Sequence, residues 1–123
     1  LIDDSIVRGN TSKQIVQMAR DAGAKKVYFA CASPPIRHQN VYGIDMPFVE
    51  DLVAYGKDID KINEVIGADK LIYQDLDDLI EAVKECGVGI EQFDCSCFDG
   101  KYVTGGVDNE YLSNLANSRK RVE

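Results

Sequence analysis

The spacing of apolar residues along this chain predicts helices and short strands in alternation. After Asn10, apolar residues recur at intervals of three and four, which predicts a helix over 11–22. Its predicted buried stripe consists of Ile15, Met18, Ala19 and Ala22. The apolar, β-prone run 27–32 ends before two prolines and predicts a buried parallel strand. Leu1 and Ile2 resemble the end of a first strand, which precedes the helix over 11–22. Residues 1–32 therefore predict a right-handed strand–helix–strand unit.

The rest of the chain predicts shorter elements on either side of a long connection over 34–47. In chain order these are helical stretches over 48–55 and 59–66, a strand over 71–73, a helix over 76–86, an extended segment over 92–104 with a turn at Asp99–Gly100, and a polar helix over 109–120. The predicted buried side of the helix over 76–86 consists of Leu76, Leu79, Ile80 and Val83. The whole pattern predicts an α/β fold with a parallel sheet flanked by helices.

Cap residues mark the ends of two of these helices. Asn10 or Thr11 is predicted to cap the helix over 11–22, and Gly23 suits the left-handed position after its end. Asp75 is predicted to cap the helix over 76–86.

Length and charge narrow the class of protein. A chain of 123 residues with 45% apolar residues is enough for one domain with a modest core. A net charge of −7 argues against nucleic acid or an anionic membrane as a bulk partner. No apolar run approaches the ~20 residues that span a bilayer, and no secretory leader is visible. We therefore expect a cytoplasmic protein with no membrane or nucleic-acid partner.

Candidate chemistry is concentrated at the start of the chain, where a strand end runs into Asp3 and Asp4. Adjacent carboxylates repel each other unless a cation or hydroxyl donors compensate, so the pair can hold sugar hydroxyls and a hard cation such as Mg²⁺. The simpler interpretation is that one carboxylate caps the turn and the other is solvated. In open α/β sheets, ligands bind beyond the carboxyl ends of the strands, where this pair lies.

The loop from Ser5 to Ser12 has the composition of a phosphate site. Gly9 allows successive backbone N–H groups to point inward, and the helix that follows presents its positive end. Thr11 and Ser12 can donate to phosphate oxygens or cap the helix, and Arg8 can supply charge or pair with a carboxylate.

Segment 3–9, Asp-Asp-Ser-Ile-Val-Arg-Gly, resembles the phosphoribosyl pyrophosphate (PRPP) signature of type I phosphoribosyltransferases, and in particular that of the glutamine PRPP amidotransferases. Segments 32–37, 40–47, 66–76 and 93–105 resemble the same amidotransferases in the same order, so the likeness covers nearly the whole chain. The resemblance implies that PRPP is bound by Asp3, Asp4, Ser5, Ile6, Val7, Arg8, Gly9, Asn10, Thr11 and Ser12, with Mg²⁺ on Asp3 and Asp4. Asn10 stands where the family usually has Thr, which implies retained phosphate binding with slightly altered geometry.

The resemblance also implies a reaction. Ammonia released from glutamine by an upstream domain attacks C1 of PRPP and gives 5-phosphoribosylamine, pyrophosphate and glutamate, the first step of de novo purine synthesis. It implies a homo-oligomer and purine nucleotides as feedback inhibitors. Because the chain starts at Leu1 inside a strand, we interpret it as the C-terminal part of a longer phosphoribosyltransferase domain, with residues 1–90 carrying the PRPP loop and 91–123 an extension that packs on it. The glutaminase nucleophile would lie upstream, so this segment alone is expected to be inactive.

Some members of the family hold an iron–sulfur cluster on cysteine thiolates. Here the position after the double proline that would carry a ligand is Asn40, and Cys95 and Cys97 are one residue too close for the spaced pair. The resemblance therefore implies the cluster-free subgroup. A zinc site from these cysteines and His38 is disfavoured by the spacing.

Two other classes are compatible with parts of the pattern. Purine or orotate salvage phosphoribosyltransferases share the acidic pair and the loop, although they lack segments like 32–47 and 97–104. Response-regulator receiver domains also place Asp-Asp-Ser after a first strand, but here Met46 directly follows the candidate phosphoacceptor Asp45, whereas receivers have Met-Pro three residues later.

The roles of three residues on the long connection stay open at this point. His38 is either a general base or a surface residue, and Arg37 and Tyr42 either line the mouth of the site or pack structurally. Four aromatic residues are expected in the core, namely Tyr73, Phe93, Phe98 and Tyr102.

Overall fold

The computed structural model describes residues 1–87 and 89–119. Within these ranges three strands and five helices follow one another. The strands are β1 (Ile2–Asp3), β2 (Tyr28–Cys31) and β3 (Lys70–Tyr73); the helices are α1 (Asn10–Asp21), α2 (Ile59–Ile66), α3 (Leu76–Glu85), α4 (Ser96–Asp99) and α5 (Asn109–Arg119). A single 3-10 turn, Val49–Asp51, precedes α2. None of the helices within the described residues is long and apolar enough to cross a membrane.

The three strands form one parallel sheet in the order β1-β2-β3, which confirms the predicted α/β fold. Ile2 pairs with Ala30 and Ala30 with Ile72, so these residues share one face of the sheet. Phe29 and Leu71, which are paired on the opposite face, are buried. The carboxyl ends of all three strands therefore lie along one edge of the sheet, where the chain leaves β1 at Asp3.

The core lies on the Phe29 face, where α1 packs against α2 and α2 against β3. Its buried residues are Ile6, Val16, Val27, Phe29, Cys31, Val53, Ala54, Ile62, Ile66 and Leu71. The other face is less covered, because Ile2, Tyr28 and Ile72 are 86%, 53% and 46% exposed. The sheet is thus packed on one side by the described helices.

The structure corrects part of the predicted buried side of α1, in which Ile15 and Ala19 are half-buried and Ala19 packs against the core. Val16 is 2% exposed whereas Met18, a member of the predicted stripe, is 68% exposed. The helix buries the side that carries Ser12 and Val16, four residues apart, and Met18 lies about 200° around the axis from Val16. On α3, Leu76, Leu79 and Ile80 are half-buried and Val83 is exposed, so the predicted stripe there is only partly covered.

Two predicted segments have a different backbone. The predicted helix over 48–55 is replaced by the 3-10 turn and by three consecutive buried residues, Leu52, Val53 and Ala54. Successive residues of a helix point about 100° apart, so three in a row cannot all face the core from one helix. The predicted extended segment 92–104 contains α4, which begins where Asp94 Oδ1 accepts the Ser96 N–H at 3.0 Å and ends at Gly100 with φ 73°.

Caps explain the ends of the other helices. Asp75 accepts the N–H groups of Asp77 and Asp78, which confirms the predicted cap of α3. Gly23 has φ 98° after the end of α1, which also agrees with the prediction. The described part of the predicted helix over 109–120 is α5; Lys120 lies outside the described residues.

Hydrogen bonds join the long connection 34–47 to the segment 94–104. The N–H groups of Arg37 and His38 donate to the Cys97 carbonyl at 2.9 and 3.1 Å, and the Tyr102 hydroxyl donates to the Gln39 carbonyl at 2.8 Å. Buried Asn40 accepts from the Tyr42 and Ile44 N–H groups. The connection is therefore held in place along its length although it has no regular structure over 34–47.

Asp69 ties the end of α1 to the sheet. Its Oδ2 accepts from the Val27 N–H at 2.7 Å and from Arg20 Nη2 at 3.0 Å. The hydrogen bond from Val27, together with the Arg20 guanidinium, holds the pKa of Asp69 below its ordinary value.

This shift predicts a pH-dependent effect of Asp69→Asn. A lowered folded-state pKa means that the carboxylate contributes stability above the ordinary carboxyl pKa and loses it as the pH falls through the folded-state value. Urea unfolding should therefore show the variant less stable than the wild type at pH 7, with the difference shrinking below about pH 4. An equal difference at pH 7 and pH 3 would contradict the ionic role of Asp69.

Candidate functional site

The loop between β1 and α1 encloses an open cavity at the carboxyl end of the sheet. Its volume is about 500 Å³, and its lining consists of Asp3, Asp4, Ser5, Val7, Arg8, Gly9, Asn10, Thr11 and Ser12. These are nine of the ten residues that the sequence predicts for PRPP binding. The tenth, Ile6, is 1% exposed and packs in the core, where it anchors the loop beneath the cavity.

The two carboxylates are held by their neighbours. Asp3 Oδ1 accepts the Asp4 N–H at 3.0 Å, and Asp4 Oδ1 accepts the Ser5 hydroxyl at 3.1 Å. The carbonyls of Asp3 and Asp4 accept N–H groups from Ala32 and Ser33, which extends the pairing of β1 and β2. Among the hydrogen bonds of the described residues, none occupies Oδ2 of either aspartate, so both oxygens can receive a cation or a hydroxyl.

Gly9 starts α1 and shapes the floor of the cavity. Its φ is 80°, a left-handed conformation that favours glycine, and it occupies the N-cap position. This corrects the prediction that Asn10 or Thr11 caps the helix. A glycine cap has no side chain, and within the described residues no other side chain caps α1, so the first N–H groups of the helix can receive an anion.

The polar side chains of the loop differ in exposure. Arg8, Asn10 and Thr11 are exposed, whereas Ser12, in the first turn of α1, is 2% exposed. In the parts of the chain that the structure covers, Arg8 has no ion pair, so its charge is available to a ligand. The loop can thus offer a phosphate both backbone and side-chain donors.

One residue of the site was missed by the sequence analysis. The Val53 N–H donates to the Val7 carbonyl at 2.8 Å, and its Cγ2 lies 3.0 Å from where a Cβ on Gly9 would be. Val53 therefore supports the loop from the core side. The sequence contains no signal for this contact, because Val7 and Val53 are far apart along the chain.

The structure also shows the surroundings of the three residues of the long connection whose roles the sequence left open. The His38 ring packs against Gly100, and the Tyr42 hydroxyl lies 3.2 Å from Thr104 Oγ1. Arg37 Nη1 donates to the carbonyls of Ala54 and Lys57. None of the three lines the cavity at the loop. Of the predicted core aromatics, Tyr73 packs against the core, while Phe93, Phe98 and Tyr102 are half-buried.

Sulfur ligands are not assembled into a metal site in the described residues, where no group of three His, Cys, Asp or Glu side chains could hold a metal. Asn40 Nδ2 donates to Cys97 Sγ at 3.9 Å, and burial raises the pKa of the Cys97 thiol. For Mg²⁺ the two aspartates are a fitting donor set, because this ion commonly binds one or two carboxylates and takes its other ligands from water and substrate phosphates.

The parallel sheet and the acidic, glycine-containing loop beyond its first strand are the features of a type I phosphoribosyltransferase fold, and similar proteins support this class. No protein-family model matches the chain. The amidophosphoribosyltransferase of Pasteurella multocida is 59% identical over 122 residues, which is 99% of this chain and 24% of that protein.

Solved structures agree. One solved structure, described as the allosteric regulatory enzyme of purine biosynthesis, matches with a TM-score of 0.76 and 39% identity. The matched region is 93% of this chain and 25% of the chain in that structure. The glutamine PRPP amidotransferase of B. subtilis, complexed with ADP and GMP, has a TM-score of 0.72 and 40% identity over 83% of this chain and 23% of that one. The chain is a homologue of the amidophosphoribosyltransferases, and it spans about a quarter of the length of the relatives it matches.

Proposed function

We propose that the chain is the ribosyl-phosphate-binding part of an amidophosphoribosyltransferase, which transfers glutamine-derived ammonia to PRPP and releases pyrophosphate. The observation that carries the proposal is the loop cavity, which places an acidic pair beside an uncapped helix N-terminus and a left-handed glycine. An acidic pair and an anion site side by side fit a ligand that carries both a diol and a phosphate. The homology over nearly the whole chain supports the amidotransferase rather than a salvage enzyme.

Each part of the loop has a task in this proposal. The N–H groups of the loop and of the first turn of α1, with Thr11 and Ser12, hold the 5-phosphate. Asp3 and Asp4 hold the ribose diol and Mg²⁺, and the bound ion would neutralise charge on the leaving pyrophosphate. Because displacement at C1 has oxocarbenium character, these residues position the ribose and stabilise charge and none of them is a nucleophile.

The proposal includes the partners implied by the relatives. Glutamine is the ammonia source, and its hydrolysis belongs to a part of the enzyme other than this chain. Purine nucleotides are proposed feedback inhibitors, since the B. subtilis enzyme was solved with ADP and GMP. We further propose a cytoplasmic homo-oligomer.

The direct test is an assay of the full-length enzyme that carries this chain. Pyrophosphate release should require PRPP and Mg²⁺. In their presence it should proceed with either glutamine or ammonium chloride as the nitrogen donor. A purine base or orotate in place of ammonia is the discriminating control. Release with a free base but not with ammonia would overturn the amidotransferase in favour of a salvage enzyme.

The same preparation tests the cluster-free assignment. Protein made with ample iron and sulfide is expected to be colourless, because Asn40 cannot supply a thiolate and its amide contacts Cys97 instead. Visible absorption and iron analysis are the measurements. A brown protein with stoichiometric iron would show that the assignment is wrong.

A further inference from the structure

The loop cavity rests on a buried turn that belongs to a distant part of the sequence. This supporting turn, residues 52–57, contains Leu52, Val53 and Ala54, which are at most 5% exposed. Its contact with the loop is both polar and apolar: the Val53 N–H donates to the Val7 carbonyl at 2.8 Å, and the Val53 side chain meets Gly9. A displacement of the turn would therefore move the backbone at both residues of the loop.

The supporting turn has no helix or strand of its own to hold it in place over 52–57. It is held by Arg37, whose Nη1 donates to the Ala54 carbonyl at 2.7 Å and to the Lys57 carbonyl at 2.6 Å. One guanidinium nitrogen has two N–H groups, so each carbonyl receives its own hydrogen. These charge-assisted bonds fasten the turn at two points three residues apart.

Arg37 is itself fixed at its backbone. Its N–H donates to the Cys97 carbonyl, and that of His38 donates to the same oxygen. The hydrogen bond from the Lys61 N–H lowers the pKa of Asp58, the N-cap of α2, and the charge of the Arg37 guanidinium adds a small effect in the same direction. The side chain therefore extends from an anchored backbone to the turn that carries Val53.

We propose that Arg37 is a positioning residue for the PRPP loop, which acts through the supporting turn 52–57 and does not touch the substrate. This inference rests on the proposed function for the identity of the ligand. The path runs from Arg37 to the Ala54 carbonyl, then through Val53 to Val7 and Gly9. It gives the long connection a role in substrate binding although its residues lie outside the cavity.

The test is Arg37→Met in the full-length enzyme, with Arg37→Lys as the conservative variant. Arg37→Met is expected to raise the KM for PRPP about tenfold, the scale on which indirect contacts alter binding. Glutamine hydrolysis should not change, and kcat should change much less than KM. Arg37→Lys should recover most of the affinity, because both bonds come from the single nitrogen Nη1 and an ammonium nitrogen has three N–H donors.

Arg20→Met is a matched control. Arg20 also donates from one terminal nitrogen to two oxygens, the Gly67 carbonyl at 2.8 Å and Asp69 Oδ2 at 3.0 Å. It lies at the far end of α1 from the loop, about 15 Å along the helix axis. Its loss should lower the melting temperature and leave the KM for PRPP unchanged.

Hydrogen exchange gives a readout that does not depend on activity. In Arg37→Met, peptides that cover 5–12 and 52–57 should exchange faster than in the wild type, because the supporting turn is no longer fastened by Arg37 and the bond from the Val53 N–H to the Val7 carbonyl opens more often. In Arg20→Met the same peptides should exchange as in the wild type. If Arg37→Met does not fold, the same measurements on Val53→Ala decide the question, because this variant loses the side-chain contact with Gly9 and should raise the KM for PRPP and speed exchange over 5–12, while Arg37→Lys should stay close to the wild type.

The possible failures are distinct. A wild-type enzyme that binds no PRPP would overturn the proposed function and this inference with it. An active wild type in which Arg37→Met keeps its KM and its loop exchange, while its melting temperature falls as in Arg20→Met, would overturn the positioning role alone.

Discussion

Replacement of both Asp3 and Asp4 by asparagine is expected to lower phosphoribosylamine formation by at least about 100-fold, the scale on which loss of preorganised charge stabilisation slows enzymes. The double variant keeps the size of both side chains, removes two negative charges and replaces one carboxylate oxygen of each residue by an NH2 group, which donates hydrogen bonds and cannot bind a cation. In the structure Asp3 Oδ1 accepts the Asp4 N–H and Asp4 Oδ1 accepts the Ser5 hydroxyl. We therefore expect the substitution to impair chiefly the other carboxylate oxygen of each residue, which remains for the ribose and the cation. Glutamine hydrolysis should persist.

The measurement is initial-rate kinetics with ammonium chloride as the nitrogen donor, over a range of Mg²⁺ concentrations. Asp77→Asn with Asp78→Asn is a matched control, because this adjacent exposed pair lies in the first turn of α3 and carries the same charge. The control variant should keep near-normal rates. Near-normal phosphoribosylamine formation by the Asp3 and Asp4 variant would mean that the pair does not belong to the ribosyl site.

Replacement of Gly9 by alanine is expected to weaken PRPP binding at least about tenfold, with part of the effect coming from left-handed strain of about 1–2 kcal/mol. The rest comes from packing, since the added Cβ would lie 3.0 Å from Val53 Cγ2 and 3.7 Å from Ile66 Cγ2. Both neighbours are buried, so the loop rather than the core should give way. Displacement of Gly9 moves the N–H groups that begin α1.

Gly67→Ala separates these two causes. Gly67 ends α2 with φ 75°, close to the 80° of Gly9, and no atom lies within 4 Å of its added Cβ. This control should suffer the strain and a lower melting temperature while it keeps the KM for PRPP. Equal KM values for Gly9→Ala and the wild type, measured in the same assay, would show that the loop tolerates a side chain there and that the close contact with Val53 is unimportant.

The sequence predicted most of the fold because the relevant signals are local. The periodicity of α1, the β-prone run of β2 and the Asp75 cap of α3 each depend on residues within one or two turns of each other. Nine of the ten predicted residues between Asp3 and Ser12 line one cavity, since a short loop cannot separate its residues widely.

Errors arose where burial depends on distant contacts. Met18 belongs to an apolar stripe by spacing, yet the core meets α1 on the side of Val16. Leu52, Val53 and Ala54 suit a helix by composition, yet all three are buried in a turn. Asn10 is a better cap than glycine by preference, yet Gly9 takes the position because its φ is 80° and Val53 leaves no room for a Cβ.

The amino-acid sequence by itself determined the strand–helix–strand order, the acidic pair at the end of β1 and the loop that follows it, because each is written in neighbouring residues. Only the tertiary structure decided which face of α1 is buried, how the loop is supported and that Arg37 holds the supporting turn 52–57. Those contacts join residues that are far apart along the chain, such as Val7 and Val53, and they exist only once the sheet and helices have brought both partners together.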